Sequence, residues 1–408
     1  MRIARILQRE FGEDLREIHQ ARLSVTFAAV AALFRGRHLS LTGIGRAIAV
    51  GTTHKHGIKR VDRLLGNGNI WAERIAFYRS IARRLIPEGS RPSILVDWTG
   101  FDRDKWSLVA AVSFEGRAVV VYAETHRVSR YLKPAVHRAF LRRLRDVLPR
   151  CVPIVVTDAG FRTPWMREVS KLGWDYITRL RGRTRVRHVG SRGWCPLAYL
   201  YEQTSRRPKD FGQCDLVRSA SYEARVVGVR KGRPYRWAHR DGTVKPIDLL
   251  ASSGSRWTNK NKVLRGAREP WILATSLDVS AARIVRLYRD RMQIEETFRD
   301  AKSDRFGFSM TFARSTSEHR ADILMLLLTL AHLVSILAGL VALLFNLDRG
   351  YQANTVRHRR VLSLCRLGRL LLAGDDARHL APSSLNAAWR ALLTRMHANL
   401  LVQESGDP

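Results

Sequence analysis

Ser93-Ile-Leu-Val-Asp97-Trp-Thr-Gly100 decides how this chain is read: a short apolar run ends in an aspartate and then a turn-forming glycine. A continuous apolar run bounded by turn residues is expected of a strand buried on both faces. Two more β-rich runs follow, Ser107 to Phe114 and Arg117 to Glu124, joined by turns containing Gly100 and Gly116. Helical spacing then covers Leu132 to Leu148. A strongly β-branched run, Pro153-Ile-Val-Val-Thr157, leads to a helix around Trp165 to Leu172 and a strand at Trp174 to Arg179. The predicted order is β-β-β-α-β-α-β, which suits an α/β fold whose mixed sheet pairs a meander with right-handed crossovers.

The flanks differ in character. Apolar residues recur at helical spacing from Ile3 to about Arg35, and Leu39 to Ile48 reads as a further short helix. The next segment, His54-Lys-His-Gly-Ile-Lys-Arg-Val-Asp-Arg-Leu-Leu65, places Lys59, Arg60 and Arg63 away from Ile58, Val61 and Leu65. This pattern resembles a helix-turn-helix that reads DNA, although an ordinary solvated helix face has the same composition. Residues 182–270 are rich in Gly, Arg and β-formers and are expected to be an all-β insertion. Helices are expected from Ser280 to the end. The resulting scheme is a helical DNA-binding region over 1–85, a catalytic core over 86–181 and 271–320, the insertion, and a helical region over 321–408.

Composition limits the partners. Lys and Arg number 71 against 36 acidic residues, a formal net charge of +35 that calls for a polyanion such as double-stranded DNA. The cations are spread along the chain, so several surfaces are expected to touch phosphate, with strongly salt-dependent binding. The 4 cysteines are widely separated, which encodes neither a zinc knuckle nor a disulfide framework and fits a reducing cytoplasm, with the protein at the nucleoid. The segment from Ile323 to Leu347 carries no Asp, Glu, Lys or Arg and is long enough to span a bilayer. Its Thr329, His332, Ser335 and Asn346, and the polar character of the rest, favour a buried core helix over a membrane partner.

Candidate chemistry rests on acids placed at strand ends. Asp97 and Asp158, the latter in Val155-Val-Thr-Asp-Ala-Gly160, follow the two runs best suited to central strands. Adjacent strands would converge their carboxylates beyond the sheet edge, where like charges repel unless a divalent cation intervenes. The alternative is that each Asp only opens a turn or caps a helix. A predicted helix over 280–303 carries Tyr288, Arg291, Glu295 and Lys302 at offsets that fall within an arc of about 60°. Glu295 can complete a carboxylate set, Arg291 can clamp a phosphate with its planar fork, and Lys302 can meet another as a point charge.

That spacing, Tyr288-x₂-Arg291-x₃-Glu295-x₆-Lys302, resembles the Y-R-E-K signature of the cut-and-paste transposases of the insertion sequence 4 family, whose core is ribonuclease H-like. The resemblance covers about residues 90 to 305 and identifies Asp97 and Asp158 with the family's first two acids. It implies a DNA transposase that cleaves at transposon ends, passes through hairpin intermediates and inserts the ends into target DNA. It also implies two Mg²⁺ ions, with Mn²⁺ as a substitute, held by Asp97, Asp158 and Glu295. Tyr288, Arg291 and Lys302 would contact the DNA backbone, and Trp271, in Trp271-Ile-Leu-Ala-Thr-Ser276, would stack on a base flipped from the duplex. A homodimer assembled on DNA follows from the need to join two ends. A non-catalytic DNA-binding protein and a simple metal-dependent nuclease are the alternatives.

Overall fold

From Gln20 to Leu85 the chain forms α1 (Gln20–Gly36), α2 (Leu41–Ile48), α3 (His54–Leu65) and α4 (Gly68–Leu85). The side chains of Ser40, Thr53 and Asn67 cap the last three by accepting from the N–H groups of Gly43, His56 and Ile70. Upstream of Gln20, residues 12–17 form turns, within the stretch whose apolar residues recur at helical spacing. There the Asp14 carboxylate accepts from Arg84 Nε at 2.9 Å. Between α2 and α3 the backbones touch: a Cβ on Gly57 would collide with the Gly45 carbonyl, and one on Gly45 with the Ile58 backbone. The glycines thus fix a tight helix pair that turns Lys59, Arg60 and Arg63 outward, all three exposed.

The computed structural model describes residues 8, 10–36, 38–182, 184–230, 269–353, 355–356 and 358–404. The chain forms two units, residues 1–156, 171–174 and 290–408 in the first, 157–170 and 175–289 in the second. In the first unit β1 (Ser93–Gly100), β2 (Lys105–Phe114) and β3 (Arg117–Arg127) form an antiparallel meander, with Asp97 opposite Val109 and Trp98 opposite Leu108. Helix α5 (Pro134–Val147) follows, then β4 (Ile154–Thr157), and the strand order is β3-β2-β1-β4. Val152 and Ile154 donate to the carbonyls of Ser90 and Pro92, and both numbers rise together, so the chain entering β4 runs parallel to the chain entering β1. The segments α6 (Thr163–Lys171) and β5 (Asp175–Leu180) complete the order β-β-β-α-β-α-β read from the sequence.

In the second unit β5 leads a run of strands ordered β5-β10-β9-β8-β6-β7, with β6 (Arg185–His188), β7 (Cys195–Pro196), β8 (Lys209–Leu216), β9 (Tyr222–Val229) and β10 (Trp271–Thr275). The described part of the expected all-β insertion is not wholly strand, because α7 (Leu197–Glu202) lies within it. Its apolar Leu197 and Leu200 are fully buried while Tyr199 is exposed, a one-sided helical pattern that a strand reading misses. The rest of that expectation, over 231–268, lies outside the described residues. The predicted single helix over 280–303 is two: α8 (Ala281–Asp290) and α9 (Met292–Lys302). Arg291 at the junction keeps right-handed backbone angles, but Ile294 donates to its carbonyl in a tighter i to i+3 turn, interrupting the α-helical ladder.

Three helices close the first unit: α10 (Glu318–Leu344), α11 (Leu364–Ala373) and α12 (Pro382–Glu404). By length and composition α10 could cross a membrane, yet every residue from Ala321 to Ala342 is buried inside the unit. It packs against β3, α1, α4, α11 and α12. Gly339 and Gly368 let α10 and α11 meet backbone to backbone. A polar group marks its first turns: Asp322 accepts from the Trp71 indole at 2.9 Å and the Thr125 amide at 2.6 Å, and pairs with Arg74 at 3.2 Å. Burial pushes the Asp322 carboxyl pKa up, and Arg74 opposes that rise. Asp322→Ala should lower unfolding free energy by roughly 3 to 5 kcal/mol in denaturant titration, because Arg74 is left buried and uncompensated. Arg74→Met combined with Asp322→Leu should cost less than Asp322→Ala alone; an equal or larger cost would contradict this account.

Candidate active site

Asp97 is the fifth residue of β1, flanked by the buried Val96 and Trp98. Pleating sends Asp97 to one face of the sheet and Trp98 to the other. On the Asp97 side lies α9, pinned to the β2–β3 hairpin by one row of polar residues. Thr297 accepts from the Ala118 amide at 2.7 Å, Gln293 from the Gly116 amide at 3.2 Å, and Asp300 from Arg117 Nε at 2.6 Å. Offsets of 0, 4 and 7 put these three on a single helical stripe, a signal present in the sequence and missed there. The stripe fixes the rotation of α9 and so where Glu295 points.

Arg291 joins the acids. Its Nη1 lies 3.2 Å from Asp97 Oδ2, and its Nη2 pairs directly with Glu295 Oε1. The arginine side chain is only 8% exposed and that of Asp97 14%, while Glu295 at 39% opens toward solvent. The second Asp97 oxygen accepts from the Trp98 amide at 2.8 Å. Lys302, one face of α9 further on, is held below the ordinary lysine range by burial, with Asp97 pulling in the opposite direction. Two carboxylates from a strand and a helix thus converge on one cationic group. Hard oxygen donors already gathered around positive charge fit a divalent cation.

Three further expected site residues belong to the second unit. Asp158 directly follows β4, is half-buried, and accepts from the Gly160 amide at 2.8 Å, an Asx turn. It belongs to the second unit, as do Trp271 and Tyr288. Trp271 on β10 is 6% exposed and Tyr288 on α8 is 1% exposed; their rings pack edge to face with centroids 4.8 Å apart. Stacking of Trp271 on a base would require those rings to part. The expected continuous stripe from Tyr288 to Lys302 is cut at the α8–α9 junction, so only Arg291, Glu295 and Lys302 share a face, within about 40°. Among the described residues, no group of three or more His, Cys, Asp or Glu is gathered as a metal site.

The family model for the transposase DDE domain matches residues 89–332, which include Asp97, Asp158, Arg291 and Glu295. The chain belongs to the DDE transposases. As a transposase it is a DNA-binding enzyme of a family that works with divalent metal ions. Among solved structures, a piggyBac transposase in a synaptic complex with hairpin DNA is similar at 9% identity and a TM-score of 0.42, covering 98% of this chain and 82% of that one. No curated protein sequence matches.

Behind the carboxylates the transposase carries a polar network absent from the sequence reading. The Trp98 indole donates to His137 Nε2 at 3.2 Å. Glu124 on β3 gathers Tyr122 at 2.8 Å, His126 at 2.8 Å and Arg143 at 2.7 Å. Burial alone would raise the Glu124 pKa, but His126, Arg143 and Tyr122 outweigh it and hold the carboxyl low. Burial pulls His137 down to about 4, with His126 adding to the effect. His332 on α10 is likewise pulled down to about 4 by burial, aided by Arg369 and Arg117 and opposed by Asp300. Both imidazoles are therefore neutral in the fold, and their folded pKa values lie below the unfolded one. Their stabilising contribution is complete above about pH 6.5 and is lost as pH falls toward 4, at about 1.4 kcal/mol per unit for each group. The melting temperature should fall through that window, and His332→Leu should make the fall shallower; a flat profile would contradict the neutral assignment.

Proposed function

We propose that this DDE transposase cuts transposon ends free and joins them to target DNA by a cut-and-paste route through hairpin intermediates, as the Y-R-E-K spacing of the insertion sequence 4 family suggests. The observation that carries this reading is the convergence of Asp97 and Glu295 on one positive group, in a chain whose matched domain is a transposase domain. Asp97, Asp158 and Glu295 would hold two Mg²⁺ ions, or Mn²⁺ in their place, on a ribonuclease H-like core. When bound, such ions activate an attacking water or hydroxyl and stabilise the leaving oxygen of a phosphodiester. In this scheme no serine or cysteine nucleophile is needed.

The chain's own side chains orient the DNA. Arg291 and Lys302 meet the backbone phosphates beside the acids, the arginine with two parallel donors and the lysine as a point charge. Lys59, Arg60 and Arg63, exposed on α3 of the glycine-packed helix pair, hold the double-stranded end. Tyr288 and Trp271 act on the DNA only after separating from one another. Two ends have to be joined, so the working form is a homodimer on DNA, at the nucleoid in the cytoplasm.

Asp97→Asn, Asp158→Asn and Glu295→Gln should each abolish Mg²⁺-dependent strand cleavage in a gel assay on the element's own flanks while end binding persists. Full cleavage by any one of them would remove that residue from the catalytic set. Cut ends without joined products would make the protein a nuclease instead. Replacing Lys59, Arg60 and Arg63 together by Ala should reduce the slope of log affinity against log salt by about 0.9 for each phosphate that is no longer neutralised. An unchanged slope would take α3 off the DNA.

A further inference from the structure

The contact between Arg291 and the two acids sets a condition that phosphate clamping alone does not explain. Both Asp97 oxygens are engaged, Oδ1 by the Trp98 amide and Oδ2 by Arg291. Glu295 Oε1 is engaged by the same guanidinium. These are the hard oxygens that a divalent ion would take. A dication on Asp97 Oδ2 and Glu295 Oε1 would stand beside a guanidinium of like sign that is itself only 8% exposed, and the two would repel. Arg291 and the metal would therefore compete for the same two oxygens, Asp97 Oδ2 and Glu295 Oε1.

Rotation about the χ bonds of Arg291 can exchange its partners without any change at its right-handed backbone angles.

We infer that Arg291 is a resident counter-ion of the acid pair, displaced when a divalent metal binds and only then able to clamp a DNA phosphate. Metal entry and backbone capture are coupled through this one side chain. This rests on the reading of Asp97 and Glu295 as metal ligands, and the test separates the two.

The full chain, without DNA, is titrated with Mn²⁺ and free ion is read by electron paramagnetic resonance. Arg291→Gln should bind Mn²⁺ roughly tenfold to hundredfold more tightly than the natural chain, because a charge-assisted hydrogen bond no longer opposes the ion. Arg291→Lys, which keeps the charge, should tighten binding less than Arg291→Gln. On the natural chain, Mn²⁺ should raise the phenylglyoxal modification of Arg291 several-fold, read by peptide mass; this readout holds even if a variant folds poorly. Equal or weaker Mn²⁺ affinity in a folded Arg291→Gln protein, or Arg291 protection unchanged by saturating Mn²⁺, overturns the counter-ion role while leaving the metal reading intact. Mn²⁺ binding by Asp97→Asn and Glu295→Gln at the natural affinity overturns the metal reading itself.

Discussion

Two ionised carboxylates can be held close in a protein when something of opposite sign stands between them, and in the first unit that group is Arg291. Asp97 arrives on a strand and Glu295 on a helix nearly two hundred positions later, and the guanidinium of Arg291 reaches both. The buried Ile294, Phe298 and Ala301 hold α9 against the sheet by apolar contact, which has no direction of its own. The row Gln293, Thr297 and Asp300 adds direction by bonding α9 to the amides and the arginine of the β2–β3 turn. The chemistry of the site thus depends on backbone hydrogen bonds made well away from the acids.

Periodicity and turn chemistry were enough to read the strands and their order. Runs such as Ile94 to Val96 and Ile154 to Val156 are apolar on consecutive residues because they are covered on both faces, and they lie in strands at almost the expected boundaries. An Asp at the end of such a run suits a ligand or a turn opener, and Asp158 makes the Asx turn to the Gly160 amide. What stayed hidden depends on through-space partners. The interruption at Arg291 follows from no breaker residue, so a spacing argument joined α8 and α9 into one helix. Trp271 and Tyr288 read as DNA-facing because aromatic residues suit both a base and a core, and only the fold pairs them with each other. Glu124, His126 and His137 come from β3 and the start of α5, and no local pattern announces that they meet behind Trp98.

The apolar helix α10 shows how composition misleads and where the correction lies. Its hydropathy satisfies a membrane test, yet Asp322 near its start is buried with Arg74 and Trp71 as partners. An acid with an arginine partner on another helix signals a protein interior, in which a completely apolar helix is simply one surrounded on all sides. Basic residues, by contrast, lie on helix surfaces such as the outer face of α3, where Lys59, Arg60 and Arg63 are exposed.

In sequence, the first unit is built from chain on both sides of the second, residues up to 156 and residues from 290 onward. During synthesis, the early strands and α4 leave the ribosome long before α10 exists to cover them, and their apolar faces wait in water or in a chaperone's grip. A message cut short before codon 318 would therefore yield a sticky, protease-sensitive fragment rather than a smaller competent protein. Translation has to pass α9 and α10 before the two carboxylates can be locked in place, so a copy cut short ahead of them carries no assembled blade.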